Sequence, residues 1–418
     1  QTIIKNLIDM VIIIPRSSGN TSIDYKETSR YIVLRQSLAS LADNFSAPYI
    51  GYYLASLTPS GTTQGVLQFS TNALPTLAQV LVGPIIDRFK RYVLTLLISS
   101  TIASVMWLII SITTKPLLLT ALVTARAIFV GIAGLSFTAF IGVLFSGIER
   151  GRILSRVNVV SQLTALVAFT LTALVINPSI DVLRMFFIFS GVVSLSASIL
   201  WLRLLHIDRR LNNGKREKEA NLVSALKIVK RNRSFIKLSI AYSSHVMSMA
   251  LAWPWFPLVQ KYVLNMSVAE IAMLNIYGTF STMIAQYVFT RYIHRVSLKK
   301  LLIVSRIGFI IPPLFYSQAH DPILLYISSL LLGPFSALSN VAIPLYTLKI
   351  STHNMYASYI ALLNFSQGIL AALGSIIGGT IADIAIGNQN YNNLRYALLV
   401  DTGLRMATSL LFTKIDEV

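Results

Sequence analysis

The stretch Gly83-Pro84-Ile85-Ile86-Asp87-Arg88-Phe89-Lys90-Arg91 joins two long apolar runs through a short basic turn. One run precedes it from residue 62, and another follows it from residue 92. Each is long enough to supply the ~20 residues that an α-helix needs to cross a bilayer. Of the 418 residues in the chain, 54% are apolar and only 12% are charged. This composition predicts an all-α membrane protein.

Apolar runs of similar length continue in both directions from this turn, and twelve can be counted along the chain. Several are longer than a perpendicular crossing needs, which predicts tilt or extension beyond the membrane. We number them as spans 1 to 12. They are residues 31–57, 62–87, 92–113, 117–147, 153–176, 182–205, 235–262, 268–290, 298–318, 322–349, 355–385 and 393–413.

Lysine and arginine are distributed unevenly among the gaps. They are concentrated before span 1 and after spans 2, 4 and 8, whereas the gaps after spans 1, 5 and 9 contain neither. Because cytoplasmic loops carry the excess of basic residues, both termini are predicted to be cytoplasmic. We expect an integral protein of the plasma membrane. Its formal net charge of +19 at pH 7 predicts anionic membrane lipids as partners.

Several classes of function have no support in the sequence. No basic run outside the spans is interleaved with aromatic residues, so nucleic-acid binding is not expected. The chain contains no cysteine, which excludes disulfides and thiolate metal sites. It shows no phosphate-binding loop, metal-binding cluster or nucleophile elbow. We therefore expect no cofactor, no metal and no enzymatic activity.

The longest polar interval divides the chain into two halves of six spans. The predicted organisation is a cytoplasmic N-terminal segment (1–30), an N-terminal six-helix bundle (31–205), a basic cytoplasmic linker (206–234), a C-terminal bundle (235–413) and a cytoplasmic tail (414–418). The first segment contains an apolar run, Ile3 to Ile14, that is too short to span and predicts a helix on the membrane surface. Repeats of six spans are related by an axis along the membrane normal, with a cavity between them.

The turn at residues 83–91 resembles the signature loop of the major facilitator superfamily. Gly83, Asp87 and Arg88 are in register with that loop, and Lys90 stands where glycine is usual. A glycine permits close helix approach, and charged side chains at this position can hold helix ends. The resemblance implies twelve transmembrane helices in two pseudo-symmetric six-helix bundles. It also implies alternating-access transport of a small solute.

Three further segments resemble the same family. Residues 122–126, followed by two glycines, resemble its fourth-helix motif, and residues 149–152 occupy the charged turn after that helix. Residues 374–379, followed by Asp383, resemble the small-residue helix that packs near the cytoplasmic latch. The resemblance implies a cytoplasmic gate that contains Gly83, Asp87, Arg88, Arg91, Glu149, Arg150, Arg152 and Asp383.

Asp43 in span 1 and Arg126 in span 4 are ionised side chains deep in helices that are expected to line the cavity. At 1.5 Å per residue, Asp43 lies roughly 18 Å from the cytoplasmic start of its span and Arg126 roughly 14 Å from the external start of its own. An unpaired charge there costs at least ~2.5–3.5 kcal/mol, which favours a pair. Asp43 could accept a proton with Arg126 as its partner, Arg126 could clamp an anionic solute, or the pair could be purely structural.

Amide and aromatic side chains within the spans are candidates for binding the solute. Amides among aromatic rings suit a neutral polar or mixed solute. Each one alone more often forms an interhelical hydrogen bond or anchors the chain at the membrane interface. The predicted cavity residues are Asn44, Tyr49, Gln68, Asn72, Asn158, Gln162, Trp253, Trp255, Asn275, Asn340, Asn364 and Gln367.

Together these features predict a secondary active transporter that is proton-coupled through Asp43 and Arg126. One alternative is an organic-anion carrier in which Arg126 binds the solute directly. Another is a non-transporting membrane subunit that acts as a scaffold or receptor, with a protein partner at the last helix. Two features support this last alternative: a degenerate signature loop in the second half, and the pair Asp401 and Arg405, one turn apart in span 12.

Overall fold

The computed structural model describes residues 25–145, 147–175, 180–211, 232–292, 296–351, 356–387 and 390–417. These residues form helices and connecting turns, with no β-strand among them. Each of the twelve predicted spans coincides with one helix or with consecutive helical segments. The predicted surface helix at Ile3 to Ile14 lies outside the described residues, as does most of the predicted linker, residues 212–231.

In the N-terminal half, spans 2 to 5 are single α-helices, and spans 1 and 6 contain short 3₁₀ segments. Span 1 consists of Tyr25–Ser46, a 3₁₀ turn at Ala47–Tyr49, and Ile50–Leu57. Span 6 consists of Ile180–Ile199, a 3₁₀ segment at Leu200–Leu204, and Leu205–Leu211. Spans 2 to 5 are Gly61–Phe89, Tyr92–Ser111, Pro116–Leu144 and Gly147–Ala173.

In the C-terminal half, spans 7 and 9 are interrupted near prolines, which cannot donate a backbone hydrogen bond. Span 7 consists of Arg233–Ala252, Trp255–Leu258 and a π-helical turn at Val259–Val263, and span 9 consists of Leu298–Gly308 and Ile311–Gln318. Spans 8, 10 and 11 are Val268–Tyr292, Pro322–Ile350 and Tyr356–Ile386. Span 12 is Asn393–Leu410, with a final 3₁₀ turn at Leu411–Lys414.

Seven helices in the described part of the chain are long and apolar enough, by length and composition, to cross a membrane. The remaining predicted spans, 1, 2, 7, 9 and 12, are interrupted or carry more polar side chains. The seven helices are Tyr92–Ser111, Pro116–Leu144, Glu149–Ala173, Asp181–Asp208, Val268–Phe289, Pro322–Ile350 and Tyr359–Ile386.

Both halves are packed from the same set of helix pairs. In the N-terminal half, span 3 packs on spans 4 and 6, span 2 packs on span 4, and span 1 packs on spans 5 and 6. The pairs that lie six spans later recur in the C-terminal half, namely 9 with 10 and 12, 8 with 10, and 7 with 11 and 12. The chain therefore forms two pseudo-symmetric six-helix bundles.

The two halves meet mainly where span 2 packs on span 11, with a second contact between spans 5 and 8. Spans 2 and 11 approach so closely that a side chain at Gly65 would lie 2.6 Å from the carbonyl oxygen of Ser375. No Cβ atom tolerates that distance, so this contact depends on glycine. Such small-residue contacts are typical of membrane helices, whose backbones then approach each other directly.

Most of the described hydrogen bonds between the halves are found at one end of the molecule. We call the end that carries residues 83–91 the signature-loop end, and the end at which span 2 begins the opposite end. At the opposite end, the Tyr52 hydroxyl donates to the Met266 carbonyl at 2.7 Å, and the Tyr262 hydroxyl donates to the Ala55 carbonyl. These bonds join span 1 to the end of span 7 and to the connection between spans 7 and 8.

Arg405 of span 12 pairs with Asp401 inside the C-terminal half. Its Nε lies 2.7 Å from a carboxylate oxygen, and the two side chains are 2% and 0% exposed. Arg405 also donates to the Phe309 carbonyl at 2.9 Å and to the Met249 carbonyl at 3.2 Å. Both carbonyls lie at helix interruptions, and Phe309 precedes by four residues Pro313, which has no N–H to offer it.

Replacing Arg405 with methionine is expected to lower the free energy of unfolding by about 3–5 kcal/mol, because the buried Asp401 carboxylate would lose its partner. The double variant Asp401→Leu/Arg405→Met removes both charges, and we expect it to be more stable than Arg405→Met alone. Thermal unfolding followed by tryptophan fluorescence measures both. A double variant no more stable than the single variant would contradict a stabilising charge pair.

Candidate functional site

Span 1 and span 4 bring Asp43 and Arg126 into direct contact. The Arg126 guanidinium donates through Nη2 to Oδ1 of Asp43. Trp107 of span 3 completes the group, because its indole Nε1 lies 3.4 Å from the same carboxylate oxygen. The Arg126 guanidinium carbon also lies 4.1 Å from the centroid of the Trp107 ring, a cation–π contact. Trp107 in turn stacks on Phe187 of span 6, with ring centroids 5.5 Å apart.

The three side chains differ in their access to solvent. The Asp43 side chain is 41% exposed and that of Arg126 only 12%, while Trp107 is fully buried. The arginine and the indole therefore form the back wall of the site, and the carboxylate occupies its open side. An accessible carboxylate beside a buried arginine can exchange its partner for a proton or a solute group.

Two side chains of this region were not named from the sequence. Trp107 was missed because the apolar pattern of span 3 does not say which of its faces meets span 1. Arg35 of span 1 has a buried Nε without a hydrogen-bond partner, and its guanidinium lies 5.2 Å from the centroid of the Trp201 ring. An arginine inside a predicted span was a usable signal for Arg35, but only Asp43 and Arg126 were considered as charges deep in the spans.

Several predicted amides bond within their own helices. The side chains of Asn44, Asn72 and Asn275 each donate to the carbonyl four residues earlier, at 2.7 to 2.8 Å. Gln367 donates to Asn364 one turn away, at 3.1 Å. Such local bonds satisfy an amide in a bilayer without fixing a solute. The carbonyl oxygen of Asn44, Asn72 and Asn275 is not used by these bonds.

One of the remaining predicted amides contacts the other half. Gln162 of span 5 donates to Gln286 of span 8 at 2.9 Å, so this amide joins the two halves. Asn158, Asn340 and Asn364 are exposed and Gln68 is partly buried. Exposed amides in membrane helices favour a water-filled surface over lipid.

The structure contradicts two of the predicted cavity positions. Tyr49 is fully enclosed and packs on Phe186 within the N-terminal half. Trp255 is buried, and its indole nitrogen donates to the Gly378 carbonyl at 2.6 Å, which holds span 7 against span 11. Both serve helix packing, because a large ring fills more interior volume than an aliphatic side chain. Trp253 is partly buried and packs against Val246 and Ala250.

At the signature-loop end, span 2 finishes in a left-handed turn. Lys90 caps the helix with φ of 49°, and its N–H donates to the Ile86 carbonyl at 2.8 Å. Glycine adopts this conformation most readily, which explains why glycine is usual at this position of the signature loop. The side chains of Asp87 and Arg88, predicted for the gate, lie outside the part that the structure describes.

The other predicted gate residues have separate local surroundings. Arg150 donates to the carbonyls of Phe145 and Gly142, at 3.2 and 2.5 Å, and so caps the end of span 4. Gly83 is loosely packed, since a side chain there would meet only Leu135 at 3.5 Å. Arg91 and Arg152 are exposed, and Glu149 is partly buried.

The prediction that Asp383 belongs to the same gate is wrong. Asp383 accepts a hydrogen bond from the backbone N–H of Gly61, the first residue of span 2, at 2.5 Å. Gly83 lies near the other end of that helix, about 33 Å away at 1.5 Å per residue. Span 11 ends where span 2 begins, so its small-residue segment packs along span 2 and carries Asp383 to the opposite end.

The fold and this site define a helical membrane protein of two six-span halves, with a partly accessible ion pair inside one half. The family model described as Major Facilitator Superfamily matches residues 32–261 and 238–416. The chain therefore belongs to the Major Facilitator Superfamily, and it is a secondary transporter and not an enzyme.

Solved transporter structures share the fold at low sequence identity. The nucleoside transporter NupG is 13% identical with a TM-score of 0.75, over 93% of this chain and 98% of that one. A bacterial homolog of the human lysosomal transporter Spinster, inward-facing and unoccupied, is 12% identical with a TM-score of 0.70, over 94% and 97%. No curated protein sequence matches the chain.

The contact of Trp107 with Asp43 and Arg126 gives a matched pair of substitutions. Trp107→Phe keeps a ring against Phe187 but removes the N–H donor, and we expect it to lower the free energy of unfolding by about 1 kcal/mol. Trp201 is equally buried, and its N–H has no acceptor. Trp201→Phe loses the same ring volume but no hydrogen bond, and we therefore expect it to cost less than Trp107→Phe. Chemical or thermal unfolding of both variants checks the difference, and equal losses would contradict a specific role of the Trp107 N–H.

Proposed function

We propose that this protein moves a small solute by alternating access, with proton coupling through Asp43 and Arg126. The observation that carries the proposal is the partly exposed carboxylate of Asp43 beside the nearly buried guanidinium of Arg126. Charged groups inside a membrane protein are costly, and they persist mainly where function uses them.

The proposed coupling step is an exchange of partners at Asp43. While Arg126 donates to it, the carboxylate is stabilised as an anion. When the solute or a rearrangement of the halves draws Arg126 away, the carboxylate loses its cationic partner, and a proton can take that place. Reversal of the exchange releases the proton. The fixed Trp107 ring limits the movement of Arg126 to the open side of the site.

The contacts between the halves support one state of the proposed cycle. The described hydrogen bonds of Tyr52, Tyr262 and Asp383 hold the opposite end together. With the basic signature-loop end in the cytoplasm, as the charge distribution predicts, this arrangement corresponds to the inward-facing state of the proposed cycle. Placement in the plasma membrane, cytoplasmic termini and contact with anionic lipids belong to the same proposal.

The exposed amides Asn158, Asn340 and Asn364 support a polar solute, since an amide group offers both donors and an acceptor. Because NupG is a nucleoside transporter of the same fold, nucleosides belong in the first solutes to be tested. A thermal-shift screen with purified protein identifies binding solutes, because a bound ligand raises the unfolding temperature.

Asp43→Asn is expected to lower the rate of solute-driven proton uptake into proteoliposomes by about tenfold or more, because an amide cannot exchange a proton at neutral pH. Solute binding in the thermal-shift assay should persist. A pH-sensitive dye inside the vesicles measures the proton uptake. The matched control is Asp181→Asn, which alters an Asp–Arg pair in the same half that is mostly exposed. Unchanged proton uptake in Asp43→Asn would refute coupling at this residue.

An organic-anion carrier is the second candidate, favoured by the charge balance of the N-terminal half. In spans 1 to 5 as the structure describes them, away from the first and last two turns of each span, Arg35, Arg126 and Arg156 outnumber the single carboxylate, Asp43. A solute carboxylate would neutralise the excess positive charge. Loss of anion binding in Arg126→Gln, together with proton flux that survives Asp43→Asn, would favour this carrier.

The structure gives less support to the remaining alternative, a membrane subunit that does not transport. Part of its support was the charged pair in span 12, but Asp401 and Arg405 are enclosed by spans 7 and 9 of their own half. A protein partner at the last helix could not contact them without opening the bundle. The accessible Asp43 carboxylate also argues against a sealed interior.

A further inference from the structure

Asp383 is a carboxylate of one half that binds the start of a helix in the other half. We infer that this contact is a latch that holds the opposite end of the transporter closed. Asp383 lies near the end of span 11, in the C-terminal half, and span 2 begins the second crossing of the N-terminal half.

Both oxygens of the Asp383 carboxylate accept backbone hydrogen bonds from span 2. The Gly61 N–H donates to Oδ1 at 2.5 Å, and the Thr62 N–H donates to Oδ2 at 2.8 Å. The Ser60 hydroxyl lies 3.4 Å from Oδ2. The first N–H groups of a helix have no partner within the helix, and they carry its positive dipole end. An ionised carboxylate satisfies both requirements.

Span 2 already has a cap from its own half, so Asp383 is an addition and not a replacement. The Ser60 hydroxyl accepts the Thr63 N–H at 3.2 Å, which satisfies the third donor of the helix. The first two donors, Gly61 and Thr62, are left to the other half. A separation of the halves at this end therefore breaks two charge-assisted hydrogen bonds together, and it leaves both N–H groups to water.

The glycines of the interface make the contact geometrically possible. A side chain at Gly61 would lie 2.4 Å from the Ala382 side chain and 2.6 Å from the Gly379 carbonyl. With no Cβ at Gly61, the helix start comes within hydrogen-bonding distance of Asp383. The close packing of Gly61 and the hydrogen bonds of Asp383 involve the same helix start. Both sets of contacts are therefore expected to form and to break together.

Two other aspartates cap helices without joining the halves. Asp321 accepts the N–H groups of Ile323 and Leu324, at the start of span 10 in its own half. Asp208 at the end of span 6 accepts those of Val93 and Leu94 in span 3, at the signature-loop end. Asp321 lies at the same end of the molecule as Asp383. It is therefore a matched control, with the same chemistry but no contact between the halves.

The test measures the separation of the halves at the opposite end, using the full chain, which has no native cysteine. Spin labels on Thr114→Cys and Tyr396→Cys report on the two halves, since both side chains are exposed and lie outside the latch. Pulsed electron resonance in lipid nanodiscs gives their distance distribution. Asp383→Asn is expected to raise the ratio of long to short distances by about tenfold, because its amide keeps one acceptor but loses the charge.

Asp321→Asn, measured in the same labelled background, should leave the distribution unchanged. An unchanged distribution in Asp383→Asn, or an equal shift in Asp321→Asn, would overturn the latch. If Asp383→Asn does not fold, Asp383→Glu serves instead. It keeps the charge on a side chain one carbon longer, and a smaller shift in the same direction is expected. No shift in a folded Asp383→Glu would then overturn the inference.

The latch rests on the alternating access of the proposed function, but its test needs neither a solute nor a proton gradient. Loss of proton coupling at Asp43 would leave the distance distributions unaffected. Conversely, unchanged distances in Asp383→Asn would not alter the interpretation of the proton-uptake measurement on Asp43→Asn. The two proposals are therefore distinguishable by their experiments.

Discussion

The structure depends on one constraint, which is that the bilayer interior offers no water to a polar group. Every charge or broken backbone hydrogen bond inside the spans must be satisfied by the protein itself. Arg405 illustrates this, since one guanidinium binds a carboxylate and two carbonyls at helix interruptions. The Asp383 carboxylate at the start of span 2 follows the same logic. Polar side chains here form hydrogen bonds and ion pairs between helices, and the positions of these contacts determine which helices can separate.

Glycine determines where two helices come close enough for such polar contacts to form. Apolar packing cannot select partners among membrane helices, because lipid tails are as apolar as leucine. Spans 2 and 11 are brought into backbone contact by Gly65 and by the glycines of span 11. The halves are consequently joined most closely along one pair of helices. A transporter needs this, because contacts that are strong but confined to one place can be exchanged without disturbing the interior of either bundle.

The sequence predicted the helices better than the faces they present. Apolar length and the distribution of basic residues give the twelve spans, and depth counting places Asp43 and Arg126 at one level. Rotation about each helix axis is not readable, since packed and lipid-facing positions are both apolar. For that reason Tyr49 and Trp255 were assigned to a cavity and Trp107 was not. The error at Asp383 has another cause: a likeness to a small-residue helix outweighed the count of alternating crossings, which places the end of span 11 opposite residues 83–91.

Two aspartate–arginine pairs in this chain show how access separates a structural contact from a functional one. Asp401 and Arg405 lie on one helix and are fully enclosed, so neither group can change partner without opening the bundle. Asp43 and Arg126 lie on different helices, and the Asp43 carboxylate is 41% exposed. Two helices can move relative to each other, whereas neighbours one turn apart on a single helix cannot. The chemistry of the pairs is the same, and only the second has both a reachable carboxylate and a geometry that can change, which a coupling site requires.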